Sequence, residues 1–90
     1  MASERLDKLF VLAPNHLRFR QWCHREGINH NASHIVLVTT LERLMLSSKG
    51  RHWQSGDRAV DLGTDDSSLG SQWEAMLVSI GCKRSNIERF

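Results

Sequence analysis

The sequence predicts a small α/β domain built on a three-stranded, mainly parallel sheet covered by helices, a minimal Rossmann-like arrangement. Two short runs, 9–13 and 35–39, are apolar almost throughout, and the stretches 15–26, which is free of helix breakers, and 69–80 carry apolar residues at helical spacing. Uniformly apolar runs suit strands buried on both faces, as in parallel sheets. Their alternation with amphipathic helices is typical of βαβ units.

The first strand and helix are marked by their boundaries. The run 9–13 stops at Pro14, and Asn15 is a residue type that caps helix N-termini. Gly27 stands where a left-handed C-cap would end the helix. The buried side of this helix is predicted to consist of Phe19, Trp22 and Cys23.

The second unit begins with the clearest strand, 35–39, whose β-branched, apolar composition predicts a place in the sheet interior. Thr40 can cap a short helix over 41–47. The residues of this helix that we expect to be buried are Leu41, Leu44 and Met45.

A weaker third strand, 58–62, precedes a helix over 69–80, which Gly81 would terminate. The apolar stripe of that helix is Leu69, Trp73, Met76, Leu77 and Ile80. The resulting order is β-α-β-(α)-β-α, with a predicted strand order of 2-1-3. The tail either adds a short edge strand around Ile87 or frays over 84–90, and 1–6 is expected to fray.

Length and composition predict one domain over 1–90, of cytoplasmic location. Twelve Lys and Arg against ten Asp and Glu give a formal net charge of +2. That charge is below the imbalance of a dedicated nucleic-acid protein, although seven of the basic residues fall between 18 and 58. Two unclustered cysteines predict reduced thiols, the polar N-terminus is unlike a signal peptide, and no apolar run is long enough to span a membrane.

Motifs for cofactor or metal chemistry are missing from the sequence. Neither G-x-x-x-x-G-K-[ST] nor G-x-G-x-x-G occurs, so we expect no nucleotide cofactor. His30 and His34 have a spacing used by zinc sites, but Cys23 is predicted on the buried face of its helix while His24 points elsewhere. We therefore expect no cofactor, no metal site and no catalytic residue.

Two groups of residues are candidates for binding. The first is a basic face with an aromatic residue, suited to a nucleic-acid backbone: Arg18, Gln21, Arg25, Arg43, Lys49, Arg51 and Trp53. The second lies where strands are predicted to end, the usual place for ligands in open α/β sheets: Asn15, His16, Thr39, Thr40 and Asp65. The simpler alternatives are a solvated helix face with a core-anchoring Trp53, and ordinary helix caps.

Two segments resemble motifs of superfamily 2 helicases. Residues 11–17, Val-Leu-Ala-Pro-Asn-His-Leu, resemble motif Ia, and residues 34–45, His-Ile-Val-Leu-Val-Thr-Thr-Leu-Glu-Arg-Leu-Met, resemble motif Ib. The resemblance implies contacts with a nucleic-acid backbone from Asn15, His16, Thr40 and Arg43. The ATPase motifs are missing, which excludes ATP-driven unwinding. The chain is also similar in size and style to small α/β proteins of bacteriophages.

Three functions follow in order of expectation. The first is a non-enzymatic protein-binding module, such as a phage factor that binds and modulates a host protein, using the first helix and the loop around Trp53. The second is a nucleic-acid-backbone binder, and the third an enzyme acting on a phosphorylated small molecule. We expect a protein partner, with a homodimer as an alternative arrangement and no membrane.

Overall fold

A computed structural model of the chain describes residues 7–47 and 52–90. These residues form a four-stranded sheet and three α-helices, which confirms the predicted small α/β class. The strands are β1 (Leu9–Leu12), β2 (Ile35–Val38), β3 (Arg58–Asp61) and β4 (Ile87–Arg89). The helices are α1 (His16–Glu26), α2 (Leu41–Ser47) and α3 (Ser67–Ser79), and a short 3-10 helix, Arg84–Asn86, precedes β4.

The strand order is β2-β1-β3-β4, and every neighbouring pair is parallel. The predicted order 2-1-3 is therefore confirmed, but the predicted number of three strands is wrong. The missing strand is β4, which has three residues and only one of them apolar, Ile87. A strand this short gives almost no periodic signal in a sequence, and the tail follows the edge-strand alternative instead of fraying.

The two faces of the sheet have separate cores, because side chains alternate along each strand. On one face α2 and α3 cover β1, with Phe10 and Leu12 fully buried. On the other face α1 is the one described helix, and it covers Leu9 and Val11. The chain thus winds in one direction from β1 to β2 and in the other from β3 to β4, which defines a doubly wound domain.

Helix α1 begins and ends as its sequence predicts. The side-chain oxygen of Asn15 accepts a 2.8 Å hydrogen bond from the Arg18 N–H, and Gly27 adopts a left-handed φ of 73° after the last turn. The Ile28 N–H donates to the Cys23 carbonyl at 2.8 Å, which completes the C-terminal cap. The predicted buried side is confirmed: Phe19, Trp22 and Cys23.

Two predictions about the second unit are wrong. Strand β2 lies at an edge of the sheet instead of in its interior, so Ile35 is only half-buried. Of the three α2 residues predicted to be buried, Leu44 is buried, whereas Leu41 is 43% exposed and Met45 is 74% exposed. A helix of seven residues that contacts the edge strand β2 can bury one row of side chains only. The predicted cap is present, since the Thr40 hydroxyl accepts from the Arg43 N–H at 3.3 Å.

Helix α3 supplies the largest fully buried side chain of its face, that of Trp73. It begins two residues before the predicted start because Asp66 caps it, accepting from the N–H groups of Ser68 and Leu69 at 2.9 and 3.2 Å. Trp73 and Leu77 are fully buried, as predicted. Gly81, with a φ of 115°, follows the last turn as the predicted terminator.

Candidate functional site

The two edges of the sheet differ in how they are protected. The β4 edge carries charged side chains that are all engaged: Glu88 accepts from Arg58 at 2.6 and 2.8 Å. Arg89 donates to Asp61 at 3.0 Å and to Glu74 at 2.7 Å. Charged side chains on an edge strand discourage pairing with another strand. The β4 edge is therefore closed by its chemistry.

The β2 edge has none of this protection. Its four residues, Ile-Val-Leu-Val, include no charged side chain, and Ile35, Val36 and Leu37 are each partly exposed. An uncharged, apolar edge strand is a template for pairing with another chain. This contrast makes β2 the candidate functional site.

The backbone of β2 leaves hydrogen-bonding groups on its outer side. The Leu9 N–H donates to His34 at 3.1 Å and the Ala13 N–H donates to Val38 at 3.2 Å, so even-numbered residues of this segment face β1. In a parallel ladder the residues between them direct their N–H and C=O groups the other way. Ile35 and Leu37 therefore point their backbones away from the sheet. Of these groups, the Ile35 N–H is used by a turn bond to Ala32 at 3.3 Å.

A groove of about 470 Å³ runs beside β2 on the face covered by α1. One helix is about 10 Å wide and strands are about 4.8 Å apart, so α1 cannot cover a sheet of four strands. The surface left open is lined by His16, Phe19, Arg20, His30, Asn31, Ala32, Ile35 and Leu37. Its apolar part comes from β2 and from Phe19 of α1. Its polar part is cationic or neutral, since the lining contains no carboxylate.

Helix α2 extends the apolar surface on the opposite face of β2. Besides Leu41 and Met45, it exposes 67% of Leu46. Leu41 and Met45 are one helical turn apart and share a side of the helix. The edge strand is thus flanked by an apolar helix surface on one face and by the groove on the other.

A second cavity, of about 410 Å³, lies at the amino ends of β1 and β3. It mixes both signs of charge, because Asp7, Lys8 and Arg58 all line it, and the Arg58 guanidinium is already paired with Glu88. Charges satisfied within the chain leave less for a ligand to gain. The β2 groove is the better candidate of the two.

The residues predicted to bind a nucleic-acid backbone fall into separate places. Gln21 and Arg25 are exposed on α1 and Arg18 is half-buried there, so these three share one helix surface. Arg43 is exposed on α2, which packs against the other face of the sheet. Lys49 and Arg51 lie outside the described residues.

Trp53, the aromatic member of that group, is half-buried. Its ring stacks on Phe10 with centroids 5.8 Å apart and an interplanar angle of 26°. The backbone N–H of Trp53 donates to the Ile80 carbonyl at 2.7 Å. These contacts correspond to the core-anchoring alternative for this residue.

The predicted strand-end residues follow the carboxyl ends of β1, β2 and β3. Asn15 and His16 follow β1, and Thr39 and Thr40 follow β2. The side-chain oxygens of Asn15 and Thr40 are engaged as helix caps, while Asp65 is exposed after β3. Capping accounts for the hydrogen bonds that these two side chains make.

The histidines and cysteines do not assemble. No group of three His, Cys, Asp or Glu side chains that could hold a metal ion occurs within 7–47 and 52–90. Both cysteines are buried free thiols, and burial raises the pKa of Cys23 and of Cys82. A raised pKa disfavours the thiolate, the reactive form of the side chain.

Strand order, parallel pairing and helices on both faces define a Rossmann-like α/β domain with a minimal sheet. No known protein family matches the chain, and neither a curated protein nor a solved structure is significantly similar to it. Among the described helices, none is long and apolar enough to cross a membrane. The β2 site was missed by sequence reasoning, although the absence of charge from 35–38 was its visible signal.

Proposed function

We propose that the chain is a non-enzymatic protein-binding module that engages its partner through the β2 edge. One observation carries the proposal: β4 is protected by engaged charges, whereas β2 offers an apolar, uncharged edge with partly exposed side chains. Exposed apolar surface that is not protected marks interaction sites in folded proteins. The exposed Leu41 and Met45 on α2 add apolar area beside the same strand.

Variant-dependent capture tests this proposal. The full chain, tagged, is used to capture proteins from lysate beside two variants, Leu37→Pro at the edge and Met45→Glu on α2. Val78→Glu, which changes an exposed apolar residue on α3, is the matched control. We expect a partner that binds wild type and Val78→Glu and is lost from both β2-side variants. A partner retained equally by all four proteins would contradict the proposal.

A second candidate, binding of a nucleic-acid backbone, is favoured by the unpaired cations of α1. Arg58, Arg84 and Arg89 form ion pairs with carboxylates. By contrast, no described carboxylate pairs with the arginines of α1, which are Arg18, Arg20 and Arg25. Cations without internal partners are available to phosphates.

A salt titration of binding to fluorescent single- and double-stranded DNA and RNA tests this second candidate. If the chain binds a nucleic-acid backbone, its affinity falls steeply as the salt concentration rises, because binding releases counterions from the phosphates and added salt opposes that release. The double variant Arg18→Glu with Arg25→Glu is then expected to abolish binding. No binding at low salt, or binding that the double variant leaves intact, would contradict it.

A further inference from the structure

One residue, Leu37, belongs to both parts of the β2 site. Its side chain lines the groove beside α1, and its backbone N–H points away from β1 at the open edge. A ligand that pairs with this backbone therefore also lies beside the groove lining. The edge and the groove form a single binding surface.

The backbone groups of β2 suit an extended peptide. The outward C=O groups of Ile35 and Leu37 and the outward N–H of Leu37 recur at the two-residue spacing of a strand ladder. A peptide that adds a strand to an exposed sheet edge gains affinity from such main-chain hydrogen bonds and specificity from its alternating side chains. On this edge its length is matched to the four residues Ile35–Val38.

The charge of the groove selects the side chains of that peptide. Arg20 is exposed and pairs with no described carboxylate, and His16, His30 and Asn31 add hydrogen-bonding groups to the same lining. Because no acidic residue lines the groove, acidic side chains on the occupant would meet no like charge there. On the other face of β2, apolar side chains would lie beside Val36 and near the exposed surface of α2.

A second copy of the chain is a poor occupant of this surface. A two-fold axis through paired β2 edges would place both α1 helices on the same face of a continuous sheet. Arg20 of each copy would then face the same cationic lining of the other. Like charges brought together at an interface oppose association, so the charge of the groove argues for a different chain.

We propose that β2 binds an extended segment of a partner protein, alternating acidic and apolar residues, as a fifth strand of the sheet. This inference rests on the proposed protein-binding function and specifies the chemistry of its partner. The acidic residues contact the groove through Arg20, and the partner's main chain pairs with Leu37. Both contacts contribute to recognition.

The probes are two short peptides of equal length, one alternating Glu and Val and the other alternating Lys and Val. Each is titrated into the full chain labelled with ¹⁵N, and the amide resonances of β2 and α1 are followed. We expect the Glu-Val peptide to shift the amides of Leu37 and its neighbours with a Kd below about 1 mM. The Lys-Val peptide is expected to bind at least about tenfold more weakly.

Three variants separate the contacts. Leu37→Pro removes the outward N–H and is expected to abolish binding, whereas Leu37→Val keeps it and is expected to bind within about threefold of wild type. Arg20→Glu alters an exposed side chain. We expect it to weaken binding of the Glu-Val peptide by about fivefold and to strengthen binding of the Lys-Val peptide. The dispersion of the amide spectrum checks that each variant is folded.

The outcomes distinguish this inference from the function on which it rests. The inference of an acidic partner segment is overturned by equal binding of both peptides, by a preference for Lys-Val, or by no binding of Glu-Val. In each case β2-dependent capture of a protein would leave the proposed function standing. Loss of variant dependence in the capture experiment would overturn both. A single-stranded oligonucleotide that shifts the amides of α1 and of the residues flanking position 37 equally in wild type and Leu37→Pro would assign the groove to nucleic acid instead.

Discussion

Arg58 and Glu88 form a two-pronged ion pair between neighbouring strands. The Arg58 Nε lies 2.6 Å from one carboxylate oxygen of Glu88 and its Nη2 lies 2.8 Å from the other. The same guanidinium lies over the ring of Trp22, 5.6 Å from its centroid. One side chain of β3 thereby holds the short β4 and contacts α1. This geometry gives β4 a support that its three residues could not supply alone.

The Arg58–Glu88 pair predicts a component of acid sensitivity. Hydrogen bonds from Arg58 lower the pKa of Glu88 against the opposing effect of burial. Because the folded pKa lies below the unfolded one, this stabilisation is present above the ordinary pKa of Glu and is lost as pH falls through the lowered value. Both side chains are about 40% exposed, so solvent screening limits the effect to about 0.5–1 kcal/mol.

We expect Glu88→Gln to lower the free energy of unfolding by about 0.5–1 kcal/mol at neutral pH. Below the lowered pKa of Glu88, we expect the variant and wild type to be equally stable. Urea titrations at the two pH values measure it. Some acid sensitivity should persist in the variant, because Arg89 and Arg84 lower the pKa of Glu74 in the same direction. A variant as stable as wild type at neutral pH would show that the pair contributes nothing.

Two helix-ending glycines predict unequal costs of substitution. Gly81 has a φ of 115°, and a Cβ placed there would lie 3.3 Å from the Trp53 Cβ; Gly27 has a φ of 73° and open space around it. Gly81→Ala is expected to cost about 2 kcal/mol or more, and Gly27→Ala about 1 kcal/mol. Thermal unfolding of both variants compares them. Equal losses would mean that the contact with Trp53 is relieved without cost.

The N-terminal cap of α3 predicts a loss of stability when the side-chain oxygen of Asp66 is removed. Asp66→Ala leaves the N–H groups of Ser68 and Leu69 without their side-chain partner and is expected to cost about 1 kcal/mol. Asp66→Asn retains an acceptor oxygen and serves as the control, with a smaller loss. For a domain of this size the alanine variant corresponds to a decrease in Tm of about 4–8 °C. A loss of equal size for both variants would assign the effect to charge instead of capping.

The two thiols predict slow labelling of the folded chain. Cys23 and Cys82 are buried, and burial raises the pKa of each, so the thiolate is both scarce and shielded. A chromogenic disulfide reagent should modify them far more slowly than a small free thiol at neutral pH. Unfolding by urea should restore the ordinary rate. Rapid labelling without denaturant would show that the part of the chain around one of the two thiols opens readily.

Much of the fold could be predicted because its signals are local. Asn15, Gly27 and Gly81 act through the backbone of their own turns, and each stands where the sequence places it. The apolar runs of β1 and β2 likewise identify strands from neighbouring residues alone. Strand β4 escapes this reasoning, because Ile87 is its only apolar residue and its support comes from Arg58, which is distant in the chain.

The candidate site depended on facts that no local pattern contains. The sequence of β2 is that of an interior strand, although the predicted and the observed strand orders both place it at an edge. Met45 has the spacing of a buried residue, yet α2 is too short and too close to the edge to cover it. The groove joins His16 of α1 to His30 of the following loop across an uncovered part of the sheet. These relationships arise from packing and not from periodicity.

The position of β1 between β2 and β3 has a kinetic consequence. Leu12 pairs with Val38 on one side and with Asp61 on the other, so both neighbours of this fully buried strand come later in the chain. During synthesis β1 cannot pair with β3 until the chain as far as Asp61 has left the ribosome. Until then the apolar side chains of β1 are not covered by the complete sheet. Contacts between distant segments also slow folding. The newly made chain therefore passes through a stage in which the strand whose four residues are all buried in the folded domain is unprotected, and this is the stage at which a chaperone would matter most.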